Sequence, residues 1–128
     1  MSIRCIVVTP ERTELDREAD FVALPMFDGE LGVQGGRAPM IGRLGHGVLR
    51  LQTKAGPEKY FVDGGFAQVE KNTVNILTSR ATSVDLLDSE EASESLATAL
   101  EMSSSTPEEA QIKDAAVRRA RGLLRASR

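Results

Sequence analysis

Up to residue 84 the chain consists of short apolar runs broken by glycine, proline and acidic turn residues; beyond it, apolar positions recur every three to four residues. The first pattern has the period of strands, the second that of helices. Ile3-Arg4-Cys5-Ile6-Val7-Val8 is a β-rich run ending at Thr9-Pro10-Glu11, where proline removes a ladder donor. Ala19 to Leu24 follows and stops at Pro25. Asp28 to Val33 comes next, then the loop Gly35-Gly36-Arg37-Ala38-Pro39-Met40. Val48-Leu49-Arg50-Leu51, Tyr60-Phe61-Val62 and Val74-Asn75-Ile76-Leu77 read as further strands, with Asp63-Gly64-Gly65 and Glu70-Lys71-Asn72 as tight turns. Ten of the eleven glycines and four of the five prolines lie before residue 85, so the turns concentrate there. Many short strands at this spacing predict an antiparallel β-sandwich or barrel over residues 1–84.

Residues 85–128 predict a helical hairpin. Asp88 or Ser89 caps the first helix, with Glu90 and Glu91 against its N-terminal dipole. Ala92, Leu96, Ala99 and Leu100 share one face. Ser103-Ser104-Ser105 breaks the pattern, and Thr106-Pro107-Glu108-Glu109 supplies a cap, a proline at the first helical position and a capping-box glutamate. Ile112, Ala116, Ala120 and Leu123 line the second helix, and so short a connection makes the pair antiparallel. Residues 81–112 hold eight acids and no Lys or Arg, whereas residues 113–128 hold six bases against Asp114. An acidic helix folded on a basic one is complementary, although each exposed pair contributes only about 0–1 kcal/mol. The stripes are narrow and alanine-rich, and Gly122 costs the helix roughly 1 kcal/mol, so the hairpin is expected to be able to open or detach.

Composition narrows the function classes. Hydrophobic residues make up 41% and charged residues 27% of the 128, a globular balance, and a net charge of -3 gives no general attraction to nucleic acid. Residues 1–8 are apolar but short and carry Arg4, so they read as a strand and not a signal peptide. No apolar run approaches the roughly 20 residues of a membrane-spanning helix. The lone Cys5 cannot pair internally, fits a reducing compartment and alternates with Ile3 and Val7 as a small core residue. His46 is the one histidine, too few for a sandwich metalloenzyme, and reads as a surface loop or strand-end residue. Asp28, Glu30 and Asp63 sit at turns without forming an acid–base pair. The Gly32-to-Arg37 stretch lacks the lysine and helix of a phosphate loop. No active site and no cofactor are expected.

The order of motifs resembles the epsilon subunit of bacterial and chloroplast F-type ATP synthases. The residues that carry it are Val8-Thr9-Pro10-Glu11, Leu24-Pro25, Asp28-Gly29-Glu30-Leu31-Gly32-Val33, Gly36-Arg37-Ala38-Pro39-Met40, Leu44 with Gly47-Val48-Leu49, Phe61 to Val69 and Val74 to Leu77. Each motif alone is weak; their joint order, followed by a two-helix tail, is specific. The resemblance implies a sandwich of about ten strands and a non-catalytic rotor subunit of the central stalk. That subunit bridges the gamma subunit and the membrane ring of c subunits and couples ion flow to ATP synthesis. It sits peripherally on the cytoplasmic side of the bacterial inner membrane. By carry-over, Asp28, Gly29 and Glu30 face the ring, and Gly36, Arg37, Ala38, Pro39 and Met40 face gamma, with Arg37 where the family usually has histidine. Arg118, Arg119, Arg121 and Arg125 would reach the catalytic beta and alpha subunits, where the hairpin inhibits ATP hydrolysis.

The alternative is a stand-alone sandwich module that binds a small ligand or protein. Family members that bind ATP on the hairpin carry Ile/Leu-Asp-x-x-Arg-Ala. Here the stretch is Val84-Asp85-Leu86-Leu87-Asp88-Ser89, and an aspartate in the arginine's place repels phosphate. Arg119 aligns with a second family arginine but lacks the first as a partner. Calorimetric titration is therefore expected to show no micromolar ATP binding; a micromolar isotherm would contradict this.

Overall fold

A computed structural model describes residues 2–127. Eight strands come first: β1 (Ile3–Val8), β2 (Thr13–Ala19), β3 (Phe21–Met26), β4 (Gly29–Val33), β5 (Met40–Thr53), β6 (Gly56–Glu70), β7 (Thr73–Leu77) and β8 (Ala81–Ser83). A 3-10 turn at Val84–Leu86 leads to α1 (Ser89–Leu100) and α2 (Pro107–Ala126). The strands are ordered β2-β1-β7-β6-β5-β3-β4, with β8 on the other half of β6. All pairings are antiparallel except β1 with β7.

The long hairpin of β5 and β6 makes this sheet fold into two layers. In the first half of β5, Leu44 points into the core; in the second half, Leu49, Leu51 and Thr53 do, so the inward parity has changed from even to odd. Its partner β6 changes too, from Val62 to Ala67 and Val69. The slip falls at Gly45 and at Gly64 and Gly65, whose φ values are +75° and +110°. A Cβ on Gly65 would lie 1.9 Å from the Leu77 carbonyl oxygen, so no other residue fits there. Asp63-Gly64-Gly65, expected as a tight turn, is thus a kink inside one strand. Counting each half of β5 and β6 separately brings the strand segments to ten.

Between the layers lies an aliphatic core of Ile3, Val7, Val22, Leu24, Leu49, Leu51, Val62 and Ile76, each at most 2% exposed. Cys5 belongs to it, and burial, with a smaller push from Asp16, drives its thiol up to about 12.

Other expectations shift in detail. Pro25 does not end its strand; β3 runs through it to Met26, because the β3–β5 ladder is irregular between Ala23 and Met26 and needs no donor there. The Lys71-Asn72 turn forms as expected, with φ of 50° and 59°, the signature of a two-residue hairpin loop. Asp88 caps α1 through the Glu90 amide at 2.8 Å, and Thr106 caps α2 through the Glu109 amide at 3.1 Å. The Glu109 carboxylate bonds the Ser103 hydroxyl, so that reciprocal arm serves the loop. Ala92, Ala99 and Ala120 are buried as expected, whereas Leu100 and Ile112, near the hairpin tip, are 48% and 60% exposed.

Gly122 has a use that helix propensity hides. A Cβ there would lie 2.7 Å from the His46 carbonyl oxygen and 3.3 Å from the Phe61 ring. The glycine is the point where α2 settles onto β5 and β6. Gly122→Ala should gain about 1 kcal/mol of helix propensity and lose about 1–3 kcal/mol to overpacking. The expected result is faster amide exchange along residues 115–126, with the sandwich unchanged; slower exchange would refute the close-fit account.

Candidate functional site

Nothing among the described residues makes a reaction centre. No group of three or more His, Cys, Asp or Glu side chains is placed to hold a metal. Cys5 is sealed in the core. His46 is neither a loop residue nor free: it sits in β5 opposite Asp63 of β6, its Nδ1 2.8 Å from Asp63 Oδ1. What the fold does offer is two outward sheet faces with opposite fates.

The first face carries Val48, Phe61 and Thr82, consecutive cross-strand partners on β5, β6 and β8. It is covered by α2, which leaves Phe61 only 3% exposed. The polar seam of this junction is built on Asp63. Its carboxylate accepts Nε of Arg119 at 2.6 Å on one oxygen and meets His46 on the other. Its amide donates to the Arg80 carbonyl at 3.1 Å and approaches Thr78 Oγ1 at 3.2 Å. With its side chain 11% exposed, Asp63 is a largely desolvated acceptor whose charge is met from the helix side. Sequence reasoning missed this cluster because Asp63 looked like a turn residue; only the pairing of β5 with β6 brings His46 and Asp63 together.

The second face is bare. Val8, Leu77, Phe66 and Arg43 are directly paired across β1, β7, β6 and β5, so their side chains share one side of the sheet. Ile41, two residues from Arg43, extends the row. Exposures of 74% for Ile41, 58% for Phe66, 55% for Leu77 and 36% for Val8 show that nothing among the described residues covers it. The Gly36-to-Met40 segment borders this face. It is fixed by the Gly36 amide on Asn72 Oδ1 at 2.7 Å, while Met40 pairs with Val69. Arg37 is exposed, its guanidinium near the Gly32 carbonyl at 3.5 Å.

Asp28 lies in the exposed two-residue turn between β3 and β4, and Gly29, at φ +140°, and Glu30 open β4. Glu30 is bound by Arg50 at 2.6 Å. Next to it, Phe27 is half exposed and lies under the Arg43 guanidinium at 4.5 Å from the ring centroid, with that of Arg118 at 5.4 Å. The four arginines grouped from sequence differ in their partners. Arg119 turns to Asp63; Arg118 pairs with Asp114 at 2.6 Å; Arg121 and Arg125 stay exposed. Among the described residues no ion pair joins the acidic helix to the basic one, contrary to the expected pairing.

The segment that matches the family's ATP motif forms the 3-10 turn and the α1 cap. The crevice it borders carries Asp88 and Glu91, while Arg119 within it is taken by Asp63. Phosphate would meet Arg80 there together with two carboxylates that repel it.

Comparison with known proteins agrees with this architecture. The family described as ATP synthase, Delta/Epsilon chain, beta-sandwich domain, matches residues 2–84. An ATP synthase epsilon chain of Rhodopirellula baltica is 82% identical over 128 residues, covering 100% of both chains. A chloroplastic ATP synthase epsilon chain of Oltmannsiellopsis viridis is 38% identical over 99 residues, covering 77% of this chain and 76% of its own. A chain in the mitochondrial ATP synthase of Euglena gracilis shares the fold with a TM-score of 0.88 at 22% identity, over 99% of this chain and 82% of that one. A sandwich, a helical hairpin laid on one of its faces and matches along its whole length agree: the chain belongs to the epsilon chain family, the non-catalytic central-stalk subunits of F-type ATP synthases.

Proposed function

We propose that the bare face of the sandwich is where the chain grips the gamma subunit, with residues 1–84 acting as a rigid wedge and residues 85–128 as a separable regulatory unit. One observation carries this reading: the sheet has two outward faces of similar make-up, and the hairpin covers only one. A contiguous exposed row of Ile, Phe, Leu and Val on a folded domain marks a partner surface. The Gly36-to-Met40 segment on its border agrees with the gamma contact that the family resemblance implies.

In this reading the Asp28-Gly29-Glu30 turn meets the polar loops of the membrane ring, so the sandwich couples ring to gamma by binding alone. No described helix is long and apolar enough to cross a membrane. The subunit is held peripherally on the cytoplasmic side of the bacterial inner membrane by its partners. The hairpin has two positions. Docked, it is latched through Arg119, Asp63 and the Gly122 contact; released, α2 presents its arginines to the catalytic beta and alpha subunits and slows hydrolysis. Complementary charge would set the register of that second contact.

Two measurements test the reading. Phe66→Asp should weaken binding to the gamma subunit about 30-fold or more, the loss seen when a central aromatic anchor is removed. Unchanged affinity would leave the bare face without this role. Asp63→Asn should cost the latch about 1–2 kcal/mol, discounted for the exposed Arg119. ATP hydrolysis by the reconstituted complex should then fall, with no further effect in a complex lacking residues 88–128. Equal hydrolysis with and without residues 88–128 would leave only the bridging role.

A further inference from the structure

The docked hairpin creates a groove that neither part owns. Its floor is the glycine kink, where Gly45 and Gly64 contribute no side chain, and one wall is α2. The opposite wall is the corner of β3 and β5, with Phe27 and Arg43. Arg43, Arg118, Arg121 and Arg125 all line it, and only two carboxylates do, Asp63 and Asp114. Both are committed, Asp63 to Arg119 and His46, and Asp114 to Arg118. Among the described residues no carboxylate pairs with Arg43, Arg121 or Arg125.

Docking the helix therefore gathers positive charge from two units into one place and leaves Arg43, Arg121 and Arg125 without a carboxylate among the described residues. The acids of α1 do not answer it, since no ion pair joins α1 to α2 among the described residues. From Gln111 to Arg125 the helix wall is about 21 Å long at ~1.5 Å per residue. A compact phosphate-bearing anion would cover only a fraction of that length. An extended polypeptide of about six residues spans it, and its same-side residues recur every ~6.6 Å, close to the ~6 Å between Arg121 and Arg125 along the helix. Phe27 already has guanidinium groups against its ring, which disfavours an aromatic base as occupant.

We infer that this groove receives an extended acidic segment of a partner polypeptide, and that occupation holds the hairpin down on the sandwich. The direction follows from linkage: a ligand that touches Arg43 and α2 together binds the docked state alone and raises its population. An acidic surface that took α2 by itself would do the opposite and draw the helix away. The inference goes beyond the stalk reading above and does not need it, because the groove belongs to the single chain.

The test uses the isolated full chain and an eight-residue capped peptide of alternating Glu and Ala, with the Lys–Ala counterpart as control. Titration followed by nuclear magnetic resonance should show saturable shifts at Gly45, Gly64 and the Arg118-to-Arg125 amides with the acidic peptide only. Affinity should drop about tenfold or more between low and moderate salt. Exchange of the α2 amides should slow on binding. Arg43→Gln and Arg121→Gln should each weaken binding about two- to fivefold, as exposed charge pairs do, while thermal melts confirm that both variants stay folded. Four outcomes would overturn the inference. They are no shifts at low salt, binding indifferent to Arg43→Gln, faster α2 exchange on binding, and tripolyphosphate matching the peptide in affinity and shift pattern.

Discussion

Everything in this fold hangs on a change of parity. A fourteen-residue strand paired to a fifteen-residue one can serve two layers only if its inward side switches midway. Without the switch, half of Leu44, Leu49, Leu51, Val62, Ala67 and Val69 would face water. The switch needs backbone that only glycine adopts without strain, and Gly64 and Gly65 supply it at φ +75° and +110°. It also needs room, and Gly65 passes so close to β7 that a methyl group would overlap the Leu77 carbonyl. The kink then sets the neighbouring chemistry, since it brings His46 opposite Asp63 on the outward side just where the helix arrives.

How much of this could be read from residues alone varies with the physics involved. Strands with clear alternation, such as Ile3–Val8 and Thr73–Leu77, were legible, as were both helix caps, because each signal is local. The strand Thr13–Ala19 was not: Thr-Glu-Leu-Asp-Arg-Glu-Ala has only Leu15 and Ala19 turned inward, and an edge strand tolerates charge everywhere else. Asp63-Gly64-Gly65 carries the composition of a turn, and nothing local separates a turn from a kink in a long strand. Pro25 misled for a similar reason, since a missing donor matters only where the ladder asks for one. The order of motifs identified the family, yet the seam of Asp63, His46 and Arg119 joins residues 17 and 56 positions apart and waits on tertiary structure.

Charge shows the same limit. Counting signs along the hairpin suggests an acidic helix neutralising a basic one. The two helices instead pack together with the small residues Ala92, Ala99 and Ala120 buried, and no ion pair joins them among the described residues. Alanine allows the close approach; long ionic side chains spread to solvent, where their mutual attraction is weak. Arg119 is the exception, as it meets a carboxylate that the sandwich has already partly desolvated. The hairpin thus meets the sandwich through the Arg119–Asp63 contact, the close fit at Gly122, the cover of Phe61 and the Arg118 guanidinium near Phe27. That is a small, well-defined junction.

The placement of Cys5 has a practical consequence. As the chain's single sulfhydryl, sealed among aliphatic neighbours and held in its protonated form far above neutrality, it is silent towards maleimide reagents while the fold is intact. Any cysteine introduced on the surface would then be the sole target for a fluorophore or spin label. Paired probes on helix and sheet can report distances in the native sequence background, with no preliminary removal of a competing thiol.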